Sequence, residues 1–95
     1  MSSVEFEQKS KELVAKYYNE NEVIVGGYRV LMEADNVYTV WMCKILQNSK
    51  GLFSTPAEDG LYFEVTYNGD KDEAYIDAYK KWENYKIEDV INNAQ

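Results

Sequence analysis

Chemistry in a small folded chain needs a nucleophile, a tunable acid or base, or converging metal ligands, and these 95 residues offer few of them. There is no histidine and a single cysteine, Cys43. A serine–histidine–aspartate triad, a cysteine–histidine pair and a Cys/His zinc site are all excluded by residue type. A reactive thiol needs a neighbouring cation, a helix N-terminus or a metal to lower its pKa. Cys43 lies within the apolar run of residues 37–46, and the expectation is a buried structural thiol. Carboxylates are abundant, but hydrolysis needs one carboxyl with a raised pKa in an apolar pocket and a second across the scissile bond. Glu64 is the best single candidate, and its alternation with Thr66 places it on the wetter side of a strand. The stretch 68–73, Asn-Gly-Asp-Lys-Asp-Glu, resembles part of a calcium loop, yet its glycine precedes both aspartates and no twelve-residue loop is available. A non-enzymatic role with no cofactor and no metal is the expectation, with an enzyme using carboxylates a distant alternative.

The elements that must position any site follow from composition and period. Ninety-five residues with 45% apolar and 15% aromatic content form one domain with a real core. A lone cysteine excludes an intrachain disulfide. No secretory signal opens the sequence and no apolar run approaches about 20 residues, so a cytosolic chain is expected. The formal charge of −7 is uneven: residues 58–95 hold ten acidic and four basic side chains, and residues 1–57 hold seven and six. Nucleic-acid affinity comes largely from lysine and arginine displacing counterions, so direct binding to nucleic acid or to an anionic membrane is disfavoured.

Residues 4–18 predict a helix, with Ser2 and Glu5 at capping-box spacing and Phe6, Leu13, Val14 and Tyr17 near one face. Residues 23–35 predict an extra strand or hairpin interrupted by Gly26-Gly27. Residues 37–46 form a β-branched and aromatic strand, 47–51 a turn, and 52–55 a short returning strand. Residues 61–67 alternate, with Leu61, Phe63, Val65 and Tyr67 on the core side. From Asp70 to about Tyr85 the spacing predicts a second helix, opened by an Asp70/Glu73 capping pair and lined by Ala74, Tyr75, Ala78, Tyr79 and Trp82. A further helical turn is expected within 87–95. The resulting class is α+β: a two-layer sandwich of order α-β-β-β-α, with a small antiparallel sheet and both helices on one face. That order matches the double-stranded-RNA-binding fold in topology, which implies nothing about function.

Two surfaces stand out. Asp70, Glu73 and Asp77 follow helical spacing and would present an acidic stripe to a basic partner, although Lys81 four residues after Asp77 dilutes it. The second is the sheet face away from the helices. With Trp41, Cys43 and Ile45 beneath the helices, that face would show Tyr38, Val40, Met42 and Tyr62, residue types common at interfaces. Residues 23–35, the C-terminal tail or a second copy of the chain, as a homodimer, would otherwise cover it.

The segments Val-Tyr-Thr-Val-Trp-Met-Cys-Lys-Ile-Leu-Gln-Asn-Ser-Lys (37–50), Asp-Gly-Leu-Tyr-Phe-Glu-Val-Thr-Tyr-Asn-Gly-Asp (59–70) and Tyr-Ile-Asp-Ala-Tyr-Lys-Lys-Trp-Glu (75–83) resemble a family of small uncharacterised proteins encoded by phages and prophages of Gram-positive bacteria. The likeness covers residues 37–85, about half the chain, and does not extend to Gly26-Gly27. It implies an accessory product acting in the cytosol of a bacterial host, and it carries over no catalytic residue. Two functions are compatible with all of this. One is a counter-defence inhibitor of the anti-CRISPR kind, whose acidic face occupies the basic nucleic-acid groove of a host or defence protein. The other is an oligomer that sequesters a nucleotide, with Arg29 and Lys44 meeting its phosphate.

Overall fold

The computed structural model describes residues 1–89. Helix α1 (Ser3–Asn21) is followed by a short hairpin, β1 (Ile24–Val25) and β2 (Tyr28–Arg29), and a 3-10 turn at Ala34–Asn36. Strands β3 (Tyr38–Ile45), β4 (Asn48–Ser54), β5 (Leu61–Asn68) and β6 (Glu73–Lys80) then form one antiparallel sheet in sequential order. The fold is α+β in two layers, as the sequence predicts.

The Ser2 hydroxyl caps α1 by accepting the Glu5 N–H at 3.1 Å. Phe6, Ser10, Val14 and Tyr18, each four residues after the last, are its buried positions along with Ala15. That stripe crosses β3 and β4. The Phe6 ring lies 6.3 Å from Phe53, and Tyr17 and Tyr18 lie 5.1 and 5.5 Å from Phe63. Phe53, Phe63 and Val65 supply the sheet's side of the core, and Met32 and Val37 close it. Since α1 covers the β3–β4 side, the same face of β6 borders, at Ala74, an open groove of about 390 Å³.

Gly26 and Gly27 have φ of +59° and +83°, and they join strands in register Ile24↔Arg29 and Val25↔Tyr28. Positive φ at both central residues is what a two-residue type I′ hairpin requires. The segment after it is tied to the end of α1. The Asn19 side chain accepts from Met32 N–H and donates to Met32 O, both at 3.0 Å, and Arg29 donates to Asn19 O.

Three expectations need correction. The first is the C-terminal helix. Residues 70–85 contain strand β6, paired with β5 from Asn68↔Glu73 to Leu61↔Lys80. The Asn68 side chain accepts from Asp70 and Lys71 N–H, and Asp72 adopts a left-handed φ of +51°. The acidic cluster thus makes a hairpin turn, and the aromatic residues after it complete the ladder that β5 would otherwise leave open. The likeness to the double-stranded-RNA-binding order ends there. The chain has no regular structure over residues 81–89, so no helical turn begins at 87, and 90–95 lie outside the described residues.

The second correction concerns β3. Its pairing with β4 shifts between Thr39 and Trp41, leaving Val40 as a bulge. One extra residue reverses the alternation beyond it. Met42 therefore points to the helix side and packs against the core, and Trp41, Cys43 and Ile45 face away from the helix. Cys43 is exposed rather than buried.

The third is the turn at 47–51. It contracts to Leu46-Gln47, with Ile45 paired to Asn48, so β4 starts four residues earlier than the sequence predicts.

Candidate interaction surface

The surface is the sheet face that α1 leaves bare. Register places four cross-strand rows on it. Tyr38, Ser54, Tyr62 and Tyr79 form one row, followed by Trp41, Leu52, Glu64 and Asp77. Cys43, Lys50, Thr66 and Tyr75 come next, then Ile45, Asn48, Asn68 and Glu73. Trp41 is 43% exposed and Tyr79 51%, in a molecule whose other aromatic rings include three fully buried ones. Between the first two rows lies an open hollow of about 410 Å³, walled by Trp41, Leu52, Tyr62, Tyr79 and the Glu64 carboxylate, with Lys80 and Lys81 at its edge. Aromatic walls with peripheral cations suit an extended side chain or a planar ligand.

Its electrostatics are graded. Glu64 makes an ion pair with Lys50 at 3.3 Å. Asp77 stands directly across the strand pair from Glu64, and like charges so placed destabilise. At the β5–β6 turn, Asp72 accepts from the Tyr67 hydroxyl at 2.8 Å and Glu73 from the Tyr75 hydroxyl at 2.9 Å. Each carboxylate pushes the pKa of its tyrosine above the ordinary phenol value by stabilising the protonated donor.

The residues singled out from the sequence divide accordingly. Tyr38 and Tyr62 lie on the bare face, one in each outer position around Ser54. Val40 sits half-exposed at the bulge, and Met42 is on the opposite side, against the core. Glu73 and Asp77 share a face after all, because a spacing of four is even in a strand, but Asp70 lies in the turn and there is no helical stripe. Arg29 and Lys44 are not brought together. Arg29 bonds to Asn19 O and Lys44 Nζ to Met1 O, positions separated by the length of α1, about 27 Å at 1.5 Å per residue. Sequence reasoning missed Trp41, Leu52, Tyr75 and Tyr79. Tyr75 and Tyr79 were visible as a period-2 pair with Asp77 between them, a pattern equally compatible with the helix period.

Fold and surface together define a small two-layer α+β domain with one sheet face turned to solvent. A family model described as a family of unknown function (DUF6275) matches residues 7–89, and the chain belongs to that family. No curated protein and no solved structure compared with it matches. No described helix is long and apolar enough to cross a membrane.

Proposed function

We propose that this chain is a non-catalytic binding protein that docks its bare sheet face on the basic, nucleic-acid-binding surface of another protein. The observation that carries the reading is that face itself: four strands whose outward side chains include Tyr38, Trp41, Tyr62, Tyr75 and Tyr79, with no layer over them among the described residues. Rigid aromatic side chains are the residue types that anchor interfaces. The partner's chemistry follows from charge. The half of the chain that supplies β5, β6 and their turn carries a net −6, with Glu73 and Asp77 on the face and Asp70 in the turn at its end. An apolar centre with an acidic rim complements a surface built to grip phosphates, and such complementarity mainly accelerates association. The phage or prophage setting in a Gram-positive host, suggested by sequence resemblance, makes a host or defence nuclease a natural target of this kind.

The test is capture of partners from a lysate of the source cell by wild-type protein, Trp41→Ser/Tyr62→Ser and Asp70→Lys/Glu73→Lys. The expected result is a stoichiometric nucleic-acid-binding protein that is displaced by added nucleic acid, weakened at high salt and lost with either variant. A partner held equally by the folded Trp41→Ser/Tyr62→Ser variant would refute the sheet-face reading.

The hollow beside Lys80 and Lys81 favours a second reading, a nucleotide stacked on Trp41, Tyr62 or Tyr79. Thermal stabilisation by a nucleotide that disappears in Lys80→Ala/Lys81→Ala would support it, and a flat response across a panel of mono- and dinucleotides would remove it.

A further inference from the structure

Strand β6 ends the sheet, and no described strand pairs with its outer edge. The β5 ladder fixes which of its backbone groups are left over. Lys81 N–H donates to Gly60 O, continuing the register in which Leu61 faces Lys80. Antiparallel ladders alternate hydrogen-bonded and non-hydrogen-bonded pairs. Glu73, Tyr75, Asp77, Tyr79 and Lys81 therefore bond inward to β5, and Ala74, Ile76, Ala78 and Lys80 turn their N–H and C=O groups to the open edge. Exposed edges are normally blunted by bulges, proline, short length or charged side chains, and of these β6 carries only the last, Glu73, Asp77 and Lys80. The opposite edge, β3, carries the Val40 bulge. Strand β6 has eight residues in unbroken register and no proline or glycine. Just beyond it Trp82 is 96% exposed.

We propose that β6 is a dimer edge, at which two copies of the chain pair antiparallel about a two-fold axis at Tyr79 to form a continuous eight-stranded sheet. Charge and burial select that register. A two-fold axis normal to the sheet keeps each face on its own side, so facing residues must both be odd-numbered or both even-numbered. Centring on Asp77 would set two aspartates against each other, and centring on Ala78 would oppose Glu73 to Glu83 and Ile76 to Lys80. Centring on Ile76 leaves Trp82 beyond the pairing. Centring on Tyr79 opposes Asp77 to Lys81 of the second copy, relieving the repulsion from Glu64, and brings Trp82 onto the partly buried Ile76 at the margin of the core. It also sets Tyr75 against Glu83 and the two Tyr79 rings against one another. The hydrogen bonds form at Ala78–Lys80 and Ile76–Trp82, twice each, and the Tyr79 pair is a non-hydrogen-bonded one, where side chains approach most closely. The bare aromatic face stays open and is doubled in extent.

The experiment combines mass in solution with cross-linking. Light scattering during size-exclusion chromatography should give twice the chain mass for the wild type at micromolar concentration. Ala78→Pro removes an N–H that β5 does not use, so it should leave the circular dichroism unchanged and give the single mass. Asp77→Lys should also give the single mass, and Asp77→Lys/Lys81→Asp should restore the double one, which tests the register even where the proline variant folds poorly. Tyr79→Cys in a Cys43→Ser background should link covalently across the axis under mild oxidation. A wild type of single mass at every concentration overturns the proposal. So does a dimer that survives both Ala78→Pro and Asp77→Lys, or one that Tyr79→Cys does not cross-link.

Discussion

Tyr18 shows how much one side chain can couple. Its ring is fully buried against Phe63, and its hydroxyl meets Asp59 at 2.5 Å and Thr55 at 3.2 Å, joining α1 to the loop before β5. Burial, then the hydrogen bond to Asp59, pushes its pKa well above the ordinary phenol value. The folded state therefore keeps a proton that the unfolded chain releases near pH 10. Above that pH the unfolded state binds fewer protons, and stability falls as pH rises. Tyr18→Phe should cost about 1–3 kcal/mol at neutral pH by leaving buried partners unpaired. It should also flatten the alkaline loss, as read by denaturant unfolding from pH 8 to 11. Cys43 gives a simpler check: it is exposed and should react fully with a thiol reagent in the native protein. The sequence points to the opposite because Cys43 sits in an unbroken apolar run, and nothing in that run announces that Val40 is skipped in the pairing.

At the scale of elements, the legible parts were those where period and end signals agreed. Helix α1 has its Ser2 cap and a four-residue stripe, and β5 alternates cleanly, so both lie where the sequence predicts them. Strand β6 was illegible because Ala74, Tyr75, Ala78 and Tyr79 satisfy a helical period, and the carboxylates before them mimic a capping pair. The unpaired edge of β5, a tertiary fact, decides the outcome. Gly51, inside β4, and Leu46, in the turn before it, carry predictions. A Cβ on Gly51 would stand 2.8 Å from the Phe53 ring and 3.1 Å from Met42 Cβ. Gly51→Ala should therefore destabilise by about 1–3 kcal/mol through overpacking, measurable by denaturant midpoint. Leu46 holds φ +57° with its side chain in solvent. A left-handed conformation costs a non-glycine residue roughly 1–2 kcal/mol. Leu46→Gly should raise stability by about 0.5–1 kcal/mol once glycine's extra chain entropy is deducted.

For the whole molecule, the two tryptophans report on different surfaces: Trp41 belongs to the bare face and Trp82 to the far side of the β6 edge. With Trp41→Phe, the remaining emission should shift to the blue and lose iodide quenching as protein concentration rises. With Trp82→Phe, emission should be indifferent to concentration and respond only to a partner on the sheet face. A concentration-independent spectrum for Trp41→Phe would speak against pairing at β6. The whole-molecule architecture was half legible. Its class follows from the order of patterned segments, but that the described residues hold one α-helix rather than two, and so the bare groove beside β6, depended on how residues 70–85 resolved.

The Val40 bulge also sets what kinds of sequence change this domain can absorb. Val40 is skipped in the pairing, so its loss would leave Thr39 on Phe53 and Trp41 on Leu52, whereas drawing it into the ladder would rotate Trp41, Cys43 and Ile45 into the core and expel Met42. Substitutions at those outward positions can drift and retune recognition without touching the interior. A single-codon deletion within residues 41–45 has no such freedom, since it would carry the outward residues beyond it to the interior in one step, while deletion of Val40 itself would preserve both faces.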